Sequence, residues 1–153
     1  MARLEDIPLP TRTAVANIEC PVFATTPFVT GKPLAQRKVA IVSSAALVRR
    51  GEAPFPFGST EARLLPASLP PGELLMSHVS INYDRHGFER DVNVAFPLER
   101  LRALAAEGLI GGLSETNYTV MGSSDPVGMV AAADQISGQL KQENVDAVLL
   151  TPV

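Results

Sequence analysis

Two short runs of branched apolar residues, at 39–43 and 145–150, constrain the fold of this chain more than any other feature. A continuous apolar run of this length is typical of a strand that is buried on both faces of a sheet. Further strands are predicted at residues 74–78 and 117–121 and, more briefly, at 63–65. The chain is therefore expected to build its core around a sheet.

Two amphipathic helices are predicted between these strands. The first begins at Pro97, a residue type that suits a first helical turn, and ends at Gly108. Its core face is predicted to carry Leu98, Leu101, Leu104 and Ala105. The second helix has Asp125 as its N-cap and Pro126 as its first residue. Its predicted core-facing stripe is Met129, Ala133, Ile136 and Leu140.

The alternation of strands and helices indicates an α/β fold. We expect three layers, with a mainly parallel sheet between flanking helices in a Rossmann-like arrangement. Residues 37–153 would form this domain, and the Pro- and Gly-rich residues 49–72 would form a long loop within it.

Residues 1–36 are expected to form an irregular N-terminal arm that is rich in proline. The residue before a proline is disfavoured in a helix, and proline itself lacks an amide hydrogen. Phe23, Phe28 and Val29 lie in this arm and need burial, so we expect it to dock on the domain or on a partner.

The composition excludes several function classes. Hydrophobic residues make up 46% of the chain and the net charge is −3, so the chain is globular and no strong positive field attracts nucleic acid or anionic lipid. The chain has no Trp and a single cysteine, Cys20, which excludes disulfide frameworks and zinc fingers. We read Cys20 as a buried or idle thiol, because the sequence places no base beside it.

No membrane or secretion signal is predicted. Charged residues occur early, at Arg3, Glu5 and Asp6, and no apolar run approaches the roughly 18 residues of a membrane span. A cytoplasmic protein is therefore the expectation.

Four predicted strand ends mark where chemistry can occur, because ligands of an open parallel sheet bind outside the carboxyl ends of its strands. These ends carry Ser43 and Ser44, then His78 with Ser80 and Asn82, then the segment 122–124, and finally Thr151. Ser43, Ser44, Asn82, Arg85 and Thr151 are the candidate substrate-binding residues.

The segment 77–85 is the richest in chemistry. His78 is the candidate proton shuttle, because an imidazole titrates near neutral pH. Arg85 has the planar donors that clamp a carboxylate. The structural alternative is that His78 bonds to a backbone carbonyl, and that Asp84 and Arg85 form a solvated ion pair in a turn.

Other motifs give weaker signals. Residues 122–126 open a helix whose amides could hold an anion, but Asp125 is expected to cap it instead. The sequence has no P-loop lysine and no Rossmann glycine spacing. Ser43 and Ser44 lack the flanking glycines of a hydrolase elbow, and no metal ligands cluster.

Longer motifs carry a resemblance to a known family. They are MSHVSINYDR at 76–85, GF at 87–88, DVNVAFPLERL at 91–101, GLIG at 108–111, YTVMG at 118–122 and VDAVLLTPV at 145–153. Residues 21–30 and 39–50 follow the same pattern. In these motifs the chain resembles the glycine/sarcosine/betaine reductase selenoprotein B family, with which the selenocysteine subunit of D-proline reductase belongs.

The resemblance implies an activity. Such proteins reductively cleave a carbon–nitrogen bond with a selenol or thiol nucleophile and an external dithiol or thioredoxin-like donor. The family's selenocysteine or cysteine would follow Val153 directly, so we expect a chain truncated just before that motif, with no cofactor in this chain and selenocysteine in the full-length product. The substrate would resemble an amino acid.

Two alternatives stay open. The first is a general thiol or selenol redox protein with a different substrate, and the second is a non-catalytic α/β binding or scaffold protein. A sheet that lacks its next strand exposes an edge, so we also expect self-association, as a dimer.

Overall fold

A central strand, β1 (Lys38–Ser43), organises the computed structural model, which describes residues 3–19, 22–26, 28–81 and 85–153. Strand β7 (Ala147–Thr151) pairs with β1 in parallel along its length. On the opposite side of β1, β5 (Gly112–Leu113) pairs with its start and β6 (Thr116–Val120) with its end, both in parallel. Strand β3 (Ala62–Pro66) pairs antiparallel with β6. The five-stranded sheet is therefore mixed, where a mainly parallel one was expected.

One backbone and one side-chain hydrogen bond span the interruption between β5 and β6. The amide of Ser114 donates to the carbonyl of Val39 at 2.8 Å, and the amide of Ile41 donates to Oδ1 of Asn117 at 2.8 Å. Asn117 is fully buried, so its side chain replaces a backbone partner that the break in the strand removes.

Helices pack on both faces of the sheet. Helix α3 (Leu98–Ala106) buries Leu98 and Leu101 in a cluster with alternate residues of β1, Val39 and Ile41. Helix α4 (Val130–Gln142) buries Ile136 and Leu140 in a second cluster with Ala40 and Tyr118. Since neighbouring residues of β1 enter opposite clusters, β1 is buried on both faces, as its apolar run predicts.

Both predicted helices form, with one change of face. Gly108 follows α3 with a φ of +72°, a left-handed conformation that suits glycine at a helix end. In the other helix a 3₁₀ turn (Val127–Met129) precedes α4, and Ala132 is buried while the predicted Ala133 is exposed. The prediction of Ala133 is wrong, because the buried residues of α4 repeat at a spacing of four, so the residue above Ile136 on the core face is Ala132 and not Ala133.

A second, two-stranded sheet lies outside the main one. Strand β2 (Leu47–Arg49) pairs antiparallel with β4 (Leu74–Met76). The strand predicted at 74–78 therefore exists but does not belong to the parallel sheet. The prolines around it stop any long pairing, and β4 spans only three residues.

The N-terminal segment contains more regular structure than expected. Helix α1 (Leu9–Ala16) forms there, with a proline in its first turn, where the missing amide costs nothing. Phe23, Phe28 and Val29 are exposed, so they are not buried against this chain's own domain, and docking of the arm on a partner stays a prediction. Cys20 lies outside the described residues.

The remaining helix is short, and none of the described helices suits a membrane. Helix α2 (His86–Arg90) has one turn and leads into a 3₁₀ turn (Val92–Val94) before α3. In the described ranges, no helix is both long and apolar enough to cross a bilayer.

Candidate functional site

The carboxyl ends of β1, β6 and β7 meet at one edge of the sheet. The side chains of Ser43 and Thr151 lie on the same face there, since these two residues are paired across β1 and β7. Both hydroxyls donate to one acceptor, the carbonyl of Ala95, at 2.7 Å and 3.0 Å. Ser43 is fully buried. Its hydroxyl therefore makes a structural hydrogen bond, which joins the end of β1 to the segment before α3.

Ser44 stands in the middle of this edge. Its amide donates to the carbonyl of Thr151 at 3.1 Å, and its carbonyl accepts from the amide of Gly122 at 3.0 Å. Its Oγ accepts from the amide of Val153 at 2.8 Å. Ser44 is half-buried.

The small sheet is fastened to the same edge. The carbonyl of Ala46 accepts from the amide of Ser77 at 2.9 Å, and Oγ1 of Thr119 accepts from the amide of Leu47 at 2.9 Å. Ala46 has a φ of +51°, in the left-handed region that is costly for a residue with a Cβ. This turn redirects the chain from β1 into β2, and Ser77 is thereby brought beside the carboxyl end of β1.

His78 follows Ser77 and is buried. Its Nδ1 accepts from the amide of Ser80 at 3.1 Å. Burial first, and the positive charge of Arg85 second, lower the pKa of His78 below its ordinary value of 6.5. His78 is therefore neutral at pH 7, the form that accepts a proton.

Part of the Arg85 guanidinium is bonded within its own loop. Its Nη2 donates to the carbonyl of His78 at 2.5 Å and to the carbonyl of Ser80 at 3.3 Å. These bonds hold the loop after β4 closed on itself. The remaining donors of the exposed guanidinium stay accessible to a ligand. Asn82 and Asp84, the other polar members of this segment, lie outside the described residues.

The structure thus sorts the predicted site residues into two groups. Ser43, Ser44 and Thr151 share one hydrogen-bonded edge, while His78 and Arg85 are joined in the loop after β4. The two groups are linked through the bond between Ala46 and Ser77.

Sequence reasoning missed three contributors to the sheet, of which Ala95 and Thr119 lie at this edge and Asn117 lies at the start of β6. Ala95 contributes only a carbonyl, which carries no sequence signal. Thr119 and Asn117 use side chains to satisfy backbone amides from inside a strand. Polar residues inside an apolar strand run are the one signal that could have identified Thr119 and Asn117, since buried polar groups need partners.

A shallow cavity of about 520 Å³ lies next to the edge, between residues 123–127 and the N-terminal Ile18 and Glu19. Oδ1 of Asp125 accepts from the amide of Val127 at 2.9 Å, so Asp125 caps this turn, as expected. Among the described residues, no three His, Cys, Asp or Glu side chains group as metal ligands would.

Comparison with known proteins identifies the family. The family model described as glycine/sarcosine/betaine reductase selenoprotein B matches residues 15–153. The chain belongs to this family. The match covers the carboxyl edge and the loop after β4, so both groups of candidate residues lie within the residues that the family model matches.

Curated relatives agree with this assignment. The chain is 32% identical over 123 residues to the protein named D-proline reductase subunit gamma of Acetoanaerobium sticklandii, which covers 78% of this chain and 50% of the relative. It is 30% identical over 125 residues to the protein named glycine reductase complex component B subunit gamma of Carboxydothermus hydrogenoformans, of which it covers 29%.

A shorter match is to the protein named betaine reductase complex component B subunit beta of Peptoclostridium acidaminophilum, at 35% identity over 74 residues. The chain thus spans half or less of the length of these curated relatives. No solved structure matches the chain significantly.

Proposed function

We propose that this chain is part of a reductase subunit that cleaves a carbon–nitrogen bond in an amino acid or betaine. The observation that carries the proposal is the family match over residues 15–153. The convergence of Ser43, Ser44 and Thr151 at the carboxyl edge of the sheet supports it, because small ligands of open α/β sheets bind outside the carboxyl ends of the parallel strands.

The nucleophile of this reaction would be a selenol or thiol. We propose that it follows Val153 in the full-length subunit and that the present chain is the part of that subunit before it. The short span of the chain relative to its relatives supports this view. A chalcogen at this position would lie at the carboxyl end of β7, next to Ser44.

The reaction needs two electrons and two protons. The C–N bond breaks, the carbon takes up hydrogen, and the nitrogen leaves as an amine. The selenol or thiol and a second thiol are oxidised to a bond between them, and an external dithiol, of the thioredoxin-like class, reduces that bond. His78, neutral at pH 7, would take a proton in this sequence, the outer donors of Arg85 would hold the substrate carboxylate, and Asn82 would be a further substrate ligand.

The proposed setting follows from this chemistry. A selenol or thiol reductant needs a reducing compartment, so we propose the cytoplasm. The protein would act as a homo-oligomer on a small molecule, without nucleic acid or membrane. The apolar side chains that β7 exposes support self-association.

The test uses the complete reductase subunit with its native continuation. Dithiol oxidation is measured with D-proline, glycine, sarcosine and betaine in turn. Oxidation that depends on one of these substrates, together with selenium or a reactive cysteine next to Val153 by mass spectrometry, is the expected result. Dithiol oxidation that none of the four stimulates would instead favour a general thiol or selenol redox protein.

A non-catalytic binding or scaffold role is the second candidate. The observation that favours it is the chemistry of the described edge, where the hydroxyls bond to backbone groups. The described side chains at this edge include no thiol. A complete subunit that lacks any reactive thiol or selenol, yet binds one of the substrates, would establish that role.

A further inference from the structure

We infer that Ser44 is a positioning residue that fixes the backbone at Val153, and with it the nucleophile, rather than a substrate ligand. The catalytic consequence rests on the function proposed above. The geometric part stands on contacts of this chain alone.

Three hydrogen bonds immobilise Ser44. Its amide is bound to the carbonyl of Thr151 at 3.1 Å and its carbonyl to the amide of Gly122 at 3.0 Å. These two bonds attach Ser44 to the ends of β7 and β6 on either side of it. In the third bond, Oγ of Ser44 accepts from the amide of Val153 at 2.8 Å. The acceptor of this bond therefore belongs to a residue whose backbone is already fixed.

Gly122 leaves no free space on the other side of Ser44. A Cβ at residue 122 would lie 2.8 Å from the Ser44 carbonyl oxygen, 2.9 Å from its Cβ and 3.0 Å from its Oγ. Contacts this short do not occur between real side chains, so any other residue at 122 would displace Ser44. The Ser44 hydroxyl is held by packing as well as by hydrogen bonds.

Val153 is fixed from its other side too. Its side chain packs against the core cluster that contains Val39 and Ile41, while its amide is bound by Ser44. The direction in which the chain leaves Val153 is therefore set by the core below and by Ser44 beside it.

The Ser44 hydroxyl retains a donor for the nucleophile. A serine Oγ that accepts from one amide still carries its own proton, and among the described residues no acceptor takes it. If the nucleophile follows Val153 as proposed above, this proton would be available to a selenolate or thiolate there. A hydrogen bond to the anion stabilises it and lowers its pKa.

The geometric part is tested in the 153-residue chain by amide hydrogen exchange at Val153. Ser44→Ala removes the acceptor, so exchange at Val153 should accelerate by at least about tenfold, while the buried Ile41 amide stays protected. Gly122→Ala should have the same effect by moving Ser44. The exposed Ser68→Ala serves as the matched control. Unchanged exchange at Val153 in Ser44→Ala would overturn the inference.

The catalytic part is tested in the complete reductase subunit. Ser44→Ala should lower kcat by about 10- to 100-fold, because a small misplacement of a reacting group is costly. KM should stay within about threefold of the parent. The pH midpoint for alkylation of the nucleophile by iodoacetamide should rise, and Ser68→Ala should change none of these values.

The outcomes separate the two proposals. A rise in KM with kcat unchanged would return Ser44 to the role of a substrate ligand and overturn the positioning role. If the parent subunit shows no substrate-dependent activity, the proposed function fails, and exchange at Val153 still decides whether Ser44 fixes the backbone.

Discussion

Single buried polar residues in the sheet and at its carboxyl edge bond mainly to backbone groups. Ser43, Thr119 and Asn117 are fully buried or nearly so, and each contacts a carbonyl or an amide that regular pairing leaves unmet. An unmet buried amide costs about 1–3 kcal/mol, so these polar side chains stabilise the fold as well as shaping the site.

Asn117→Ala should lower the free energy of unfolding by about 2 kcal/mol, because the Ile41 amide loses its acceptor inside the core. Urea denaturation monitored by circular dichroism gives the value. Asn17→Ala, at an exposed position, is the matched control and should change it little. If Asn117→Ala lowers the free energy of unfolding no more than Asn17→Ala does, the structural role of the Asn117 side chain is contradicted.

His78 should make stability depend on pH in the acid range. Its pKa is lowered by burial and by Arg85, so the folded protein binds its proton less readily than the unfolded chain does. The contribution of His78 to stability is complete above its ordinary pKa of 6.5. It is lost as the pH falls below that value, down to the lower folded pKa.

His78→Gln should therefore flatten the decline of stability below pH 6.5, as measured by urea denaturation across pH. In the complete subunit it should also lower kcat by about 100-fold or more, if His78 moves a proton. The chain's other histidine, the exposed His86, provides the matched variant His86→Gln. If the decline of stability persists in His78→Gln and vanishes in His86→Gln, His86 is the residue that titrates, and the prediction is wrong.

Among the secondary-structure elements, β7 departs most from its sequence pattern. Its run is apolar on both faces, yet Val148, Leu149 and Leu150 are exposed, the last by 69%. Helix α4 packs on Tyr118 and Ala40 and on the side of the sheet that carries β3, which leaves β7 uncovered. An apolar strand at an open edge is a pairing surface.

We expect this edge to drive self-association at micromolar concentration, as a dimer. Leu150→Lys should shift sedimentation velocity to the monomer, since a lysine at a sheet edge opposes strand pairing. Phe57→Lys, which changes a still more exposed apolar side chain in a loop, should leave the dimer intact. A parent chain that sediments as a monomer would refute the expectation.

At the scale of the whole molecule, the N-terminal segment and the α/β part differ in burial. None of the described residues in 3–36 is buried, and Ile7 and Arg12 alone among them are half-buried. The arm's end is attached by an ion pair at 2.9 Å between Lys32 and Asp146, the residue just before β7. The division at residues 36 and 37 stays a prediction that a deletion can test.

Removal of residues 1–31 keeps this ion pair and should lower the free energy of unfolding by less than about 1 kcal/mol, since exposed residues contribute little. Urea denaturation of the shortened and parent chains measures the difference. Removal of residues 1–37, which also deletes Lys32, is the comparison and should cost more. A shortened chain that fails to unfold cooperatively would show that the arm belongs to the core.

Local sequence determined those elements whose signals are local. Propensity and capping chemistry account for the apolar run of β1, for the limits of α3 next to Pro97 and Gly108, and for the cap at Asp125. The family motifs likewise depend on sequence alone. The strand at 63–65 was predicted as a brief pairing and forms as β3.

Tertiary structure alone decided which surfaces meet. Pattern cannot reveal that β4 pairs with β2 outside the main sheet, that β7 lies uncovered, or that Ser43 and Thr151 share the carbonyl of Ala95. These facts depend on contacts between residues far apart in the chain, and a single sequence records only local preference. The position of Val153 beside Ser44, across 109 residues of chain, is such a contact.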